Sequence, residues 1–142
     1  MVSVFRNVTV DCTDAPGLAR FWAQVLGWQV YSDDDPYVLV APSFPHVGTG
    51  PTMLFIPVPE PRTVKNRMHV DIQPTNATRD EEVERLIELG ATVVQDHRTP
   101  EGTGWVWMAD IEGNDFCVER GTSERSTPPP TRHYRLSPVD PE

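Results

Sequence analysis

Cysteine is scarce in this sequence, positive charge is scarcer than negative, and no apolar run is long. Two cysteines among 142 residues, Cys12 and Cys117, are too few for a disulfide scaffold, and they lack the CxxC spacing of thiolate metal sites. Both are expected as free thiols in a reducing compartment. Twelve Lys and Arg stand against 21 Asp and Glu, a formal charge of −9. Such a surface repels phosphate backbones and anionic lipid, so neither nucleic acid nor a membrane is expected as a partner. No stretch approaches the roughly 20 consecutive apolar residues that span a bilayer, and the opening MVSVFRNVTVDC has no basic-then-apolar leader pattern. A cytoplasmic location is the expectation.

What is present is unevenly distributed. Five of the 15 prolines fall in residues 121–142, GTSERSTPPPTRHYRLSPVDPE, which have no apolar periodicity and read as a flexible, polyproline-like tail. Tyr134 and Leu136 would give that tail something to bury against a partner subunit. Its three acids and three arginines cancel, so the net negative charge belongs to residues 1–120, the expected folded domain.

That domain reads as two similar halves, about 4–60 and 64–120. FRNVTVDCT alternates, with Val8, Val10 and Cys12 on one face and Asn7, Thr9 and Asp11 on the other, the period of a half-buried strand. A helix follows, capped by Asp14, striped by Leu18, Phe21, Trp22 and Val25, and ended at Gly27. WQVYS, PYVLVA and PTMLFIPV are three further strands between Asp, Pro and Gly punctuation. The second half repeats the order. NRMHVDIQ is a strand with Met68, Val70 and Ile72 facing the core and Arg67, His69, Asp71 and Gln73 facing away. Thr78 and Glu81 form a capping box, Val83, Leu86 and Ile87 make the stripe, and Gly90 ends the helix. ATVVQDH, TGWVWMAD and NDFCVER complete the set. The fold class is therefore α+β, a duplicated βαβββ unit. Because helices cover one face of each sheet, the polar faces should form a concave cavity on the other, the expected ligand site.

These features carry a resemblance. The duplicated unit, DCTDAPGLARFWAQVLGW, KNRMHVDI, LGATVV and ADIEGNDFCVE together resemble the glyoxalase-like branch of the vicinal oxygen chelate superfamily over roughly residues 4–120. The superfamily includes glyoxalase I, bleomycin-resistance proteins, fosfomycin-resistance enzymes and extradiol dioxygenases. Its metal enzymes carry a divalent ion on the cavity face, held from the first, fourth, fifth and eighth strands. The resemblance puts those positions on Asn7 (or Thr9), Ile56, His69 and Cys117. Only His69 keeps a standard ligand. A divalent metal is therefore possible but disfavoured, with His69 its one standard ligand and Asp71, Glu119 or Asp115 as nonstandard company.

Each candidate has a plain reading beside the functional one. His69 is either a hydrogen-bonded cleft histidine, a ligand-recognition or acid/base group, or a metal ligand. Cys117 faces the cavity because Phe116 and Val118 take the core side; it is a semi-buried thiol or, with His69, a catalytic nucleophile. Asp110, Gly113 and Asn114 are expected to make a tight turn, with Gly and Asn at positive φ. Trp22 belongs to the core, whereas Trp105 and Trp107 share one strand face and would line the cavity or a dimer interface, with Trp28 as a further candidate. His46 and His97 are expected in solvent-facing loops. Arg67 has cavity parity and would meet an anionic group or an aspartate. The ligand-binding set is thus Asn7, Thr9, Asp11, Ile56, Arg67, His69, Asp71, Trp105, Trp107, Cys117 and Glu119.

The expected function is binding of a small organic molecule in the cleft, of the drug-binding resistance type, in a homodimer with a degenerate metal site. The alternative is a metal-dependent lyase, isomerase or dioxygenase using His69.

Overall fold

The computed structural model describes residues 3–43 and 50–125. His46, Tyr134 and Leu136 lie outside the described residues. Two units of the same order follow one another: β1 (Asn7–Cys12), α1 (Ala15–Leu26), β2 (Gln29–Ser32), β3 (Val38–Ala41) and β4 (Thr52–Pro57), then β5 (Val70–Ile72), α2 (Arg79–Glu88), β6 (Thr92–Asp96), β7 (Val106–Ala109) and β8 (Asp115–Val118). The sheets have strand orders β1-β4-β3-β2 and β5-β8-β7-β6. In each, the first strand pairs parallel with the last, Val10 opposite Phe55 and Val70 opposite Phe116, while the remaining pairs are antiparallel. The α+β duplication expected from the sequence is the observed fold.

Local chemistry sets the helix ends. Asp14 Oδ1 accepts from the Gly17 amide, and α1 stops at Gly27, whose φ of 66° is open to glycine without penalty. Thr78 and Glu81 close a reciprocal capping box on α2. The DIEGN segment is a turn: the Gly113 amide donates to the Asp110 carbonyl, and Asp110 Oδ1 accepts from the Glu112 and Asn114 amides. Gly113 alone of that turn takes positive φ, so the expectation that Asn114 does so too is corrected; its amide is spent on Asp110 instead.

One core serves both units. Leu18, Phe21, Trp22, Val40 and Phe55 pack in a single cluster with Val83, Leu86, Val106, Met108 and Phe116. Phe21 and Trp22 of α1 reach across to Phe116 of β8, with ring centroids 6.5 and 5.3 Å apart. Polar bonds fix the same joint: Trp22 Nε1 donates to buried Asp110 Oδ2 at 3.0 Å, and the Thr13 and Asp14 amides donate to Glu112 at 2.6 and 3.0 Å.

Two expectations about buried faces, one on a strand and one on a helix, are corrected. β5 begins only at Val70, so His69 precedes the strand and Met68 is 88% exposed instead of core. Ile87, placed on the α2 stripe, is exposed, and Val83 and Leu86 carry the burial. Beyond β8, Thr122–Glu124 form a short 3-10 turn, and Glu124 Oε2 accepts from the Arg79 amide at the start of α2.

Candidate functional site

Register builds the site. Asp71 of β5 lies opposite Cys117 of β8, Cys117 opposite Trp107 of β7, and Trp107 opposite Gln95 of β6, so four side chains cross the second sheet in one row. Two residues along, the same face carries Glu119, Trp105 and His97; the His97 amide donates to the Trp105 carbonyl at 3.0 Å. The opposite face carries Phe116, Val118, Val106 and Met108, all fully buried. With Lys65 and His69 these side chains line an open cleft of about 440 Å³, a size that suits a small organic molecule. Acids and the thiol stand on the β5–β8 side, aromatic rings on the β7–β6 side.

Asp115 holds the aromatic side in place. Its buried carboxylate accepts from Trp107 Nε1 at 2.9 Å, Arg62 Nη2 at 2.7 Å and the Asn66 amide at 2.9 Å. Burial works against its charge, but these donors win and hold the carboxyl below its ordinary range. The indole plane of Trp107 is thereby fixed, and so is the segment that carries Lys65, whose Nζ sits 4.1 Å from the centroid of that ring. A second device holds the β6–β7 hairpin. Buried Arg79 donates to the Thr103 and Gly104 carbonyls at 2.9 and 3.0 Å. Gly104 has φ 85°, and a Cβ there would lie 1.9 Å from the His97 carbonyl oxygen, so only glycine brings the two hairpin arms this close. His97 then stacks on Trp105 at 4.6 Å.

On the other side, donor atoms of His69, Asp71 and Cys117 lie within 4.8 Å of one another. His69 Nε2 is 3.6 Å from Asp71 Oδ1. Burial, then the nearby Asp71 carboxylate and a hydrogen bond to it, push the Cys117 thiol up to about 11. The thiol therefore keeps its proton at neutral pH and is a hydrogen-bond donor there, not a thiolate nucleophile. Glu119 is answered by Arg125 Nη2 at 2.5 Å.

Of the side chains proposed from sequence, the structure brings together His69, Asp71, Trp105, Trp107, Cys117 and Glu119. Asn7, Thr9, Asp11 and Ile56 lie on the first sheet and do not line this cleft, and Arg67 is exposed before β5, also outside it. Asp115, considered as a metal donor, is occupied by Arg62, Asn66 and Trp107. Trp28 packs against the core. Three lining residues were not foreseen: Lys65, Gln95 and His97, the last expected in solvent. Two-residue alternation carried one step past β6 would have placed His97 beside Gln95 on the cleft face.

Residues 7–119 match the family model described as a glyoxalase-like domain. The chain belongs to the glyoxalase-like domain family. It is a member of the vicinal oxygen chelate superfamily, as the resemblance implied. Among solved structures, this glyoxalase-like protein is similar to the fosfomycin resistance protein FosX from Listeria monocytogenes, solved with Mn(II) and a dihydroxypropylphosphonic acid: 18% identity over 88% of this chain and 95% of that one, TM-score 0.65. FosX from Mesorhizobium loti aligns at 16% identity over 89% and 100% of the two chains, TM-score 0.64. A glyoxalase/bleomycin resistance protein/dioxygenase family enzyme from Burkholderia phytofirmans aligns at 20% over 79% and 94%, TM-score 0.58. At these identities the likeness establishes the fold. No curated protein matches the chain in sequence.

The family's metal positions can now be tested against the side chains. Asn7 donates its amide to Thr9 Oγ1 at 2.7 Å, Ile56 has no donor, and neither lines the cleft with His69. Cys117 brings a thiol where the resemblance implies a metal position, not a standard ligand of that set, and hydrogen-bonds to Asp71. The four-donor set of the metal enzymes is thus not reproduced among the described residues of this chain. What converges is one imidazole, one carboxylate and one thiol, a set suited to a borderline-soft ion more than to an oxygen-seeking one.

Proposed function

We propose that this glyoxalase-like protein binds a flat, cationic organic molecule in the cleft of its second sheet without transforming it, a sequestering role of the drug-resistance type. The observation that carries the reading is the division of the cleft: Trp105, Trp107 and His97 offer stacking surface, while Asp71 and Glu119 offer negative charge beside it. The cleft takes its lining from the second half alone, so we extend the proposal to a homodimer, in which the polar face of another copy's first sheet supplies a second wall. Among the described residues no helix is long and apolar enough to cross a membrane; a cytoplasmic site of action is part of the proposal.

The test is a thermal-shift screen against cationic aromatic drugs and metabolites, followed by calorimetry and product analysis. Stoichiometric binding without turnover is expected, with a dimeric mass by light scattering. The second reading, a metal-dependent lyase, isomerase or dioxygenase, is favoured by the convergence of His69, Asp71 and Cys117. It predicts stoichiometric metal in protein purified without an affinity tag, and loss of that metal in His69→Ala; this result would displace the binding reading.

A further inference from the structure

We infer that the face of Trp107 is a subsite for a permanently charged ring nitrogen, and that Lys65 is a built-in stand-in which the ligand displaces. The inference rests on the cleft being a small-molecule site, and it names the charge and the place. Lys65 Nζ already occupies a cation position, 4.1 Å from the ring centroid. The ring beneath it is held by the Trp107 Nε1 bond to Asp115, so the subsite persists whether or not the lysine covers it. Arg62 and the Asn66 amide anchor the surrounding segment to the same carboxylate. Moving the Lys65 side chain away therefore disturbs no backbone.

Lysine is a weak occupant of such a place. Its ammonium is strongly hydrated and rides on a flexible stem, whereas a methylated ring nitrogen is poorly hydrated and brings a flat surface that can also cover Trp105. Charge around the subsite selects the sign. Asp71, two strands away in the same row, has the Cys117 hydrogen bond and a histidine at 3.6 Å but no Lys or Arg ion pair among the described residues, while Glu119 already has Arg125. An aromatic anion laid on the tryptophans would meet both carboxylates; a cation would be attracted to Asp71.

The experiment uses the full chain and three flat probes of similar area: N-methylquinolinium, its neutral isostere quinoline, and naphthoate. Calorimetry on wild type should rank the cation first and the anion last. Lys65→Met removes the stand-in and should tighten the cation about two- to five-fold while leaving quinoline nearly unchanged. Lys65 is exposed, so the variant should fold as wild type does. In NMR spectra the Lys65 ε-protons should be shifted upfield by the indole ring and return to ordinary positions as the cation is added. Unchanged or weaker cation binding in Lys65→Met, or a wild-type preference for naphthoate, would overturn the inference alone. Failure of all three probes to bind would overturn the cleft reading and the inference together.

Discussion

The two halves share a topology and differ in what they do with their polar faces. Asp11 opposes Ile56 in the first sheet as Asp71 opposes Cys117 in the second. Val38 opposes Phe55, so Tyr37 lies one step on from it beside Ile56, the place that Trp107 holds beside Cys117. The rows are thus Asp–Ile–Tyr and Asp–Cys–Trp. The decisive difference lies two residues back on the same face, where the first sheet has Leu54 and the second has Asp115. Leu54 cannot accept a hydrogen bond, and Tyr37 is exposed outside its strand with its amide tied to Asp35. Asp115 fixes an indole, a guanidinium and a backbone amide at once. A polar strand face becomes a site when something behind it holds the side chains still.

Converting the second half to the pattern of the first gives the largest expected effect. Asp115→Leu leaves Trp107 Nε1, Arg62 Nη2 and the Asn66 amide without their acceptor, and should lower unfolding free energy by roughly 2–4 kcal/mol in a urea titration. Flat-ligand binding should fall with it. An unchanged midpoint, or unchanged binding, would mean that the aromatic wall is organised by something else. The joint between the halves comes next: Trp22→Phe removes one of the two donors to buried Asp110 Oδ2, leaving Asn114 Nδ2, while keeping most of the ring contact, and should cost about 1 kcal/mol by the same measurement.

Much of this contrast was legible beforehand, and the remainder was not for a definite reason. Alternation, Asp14, the Thr78–Glu81 pair and the Gly27, Gly90 and Gly113 punctuation are local signals, and they located both units, both helix starts and the last hairpin. Parity along β7 and β8 likewise grouped Trp105 with Trp107 and turned Cys117 away from Phe116. What parity lacks is contact over long sequence separation. It treated Asn7, Thr9 and Asp11 as equals of Asp71 and Cys117, because a strand face looks the same whether or not its neighbours close over it; Ile56 joined them through the family resemblance alone. The Arg62–Asp115 and Arg79–Gly104 bonds join residues distant in sequence, and no spacing rule contains them.

Acid should separate the halves more gently. Asp80, Glu81, Asp96 and Asp115, all in the second half, sit below their ordinary range, Asp96 at about 2, held there by hydrogen bonds from Arg98. A carboxyl depressed on folding contributes stability that is complete above its unfolded pKa and is lost as pH falls through the folded value. Stability should therefore decline from about pH 4 towards pH 2. Amide exchange at pH 3 should accelerate more in β6 and β7 than in β2 and β3. Equal acceleration in both sheets would remove the electrostatic distinction between them.

The smallest effect concerns the thiol. Burial is the main reason that Cys117 is pushed up to about 11, and it remains when Asp71 is neutralised; only the carboxylate's repulsion and the hydrogen bond it accepts from the thiol are removed. Asp71→Asn should therefore lower the thiol's pKa part of the way towards normal. Iodoacetamide labelling of Cys117 at pH 8 should quicken by a few-fold, well short of the roughly hundredfold that a full return to an ordinary thiol would give. Cys12 is an internal control, because its own rise to about 11 comes from burial and from Glu112, Asp14, Asp11 and Asp110, so Asp71→Asn should leave its labelling alone. If Cys117 instead labels fast in the wild type, the thiol is ionised, and the row Asp71–Cys117–Trp107 carries a nucleophile that its counterpart Asp11–Ile56–Tyr37 cannot have.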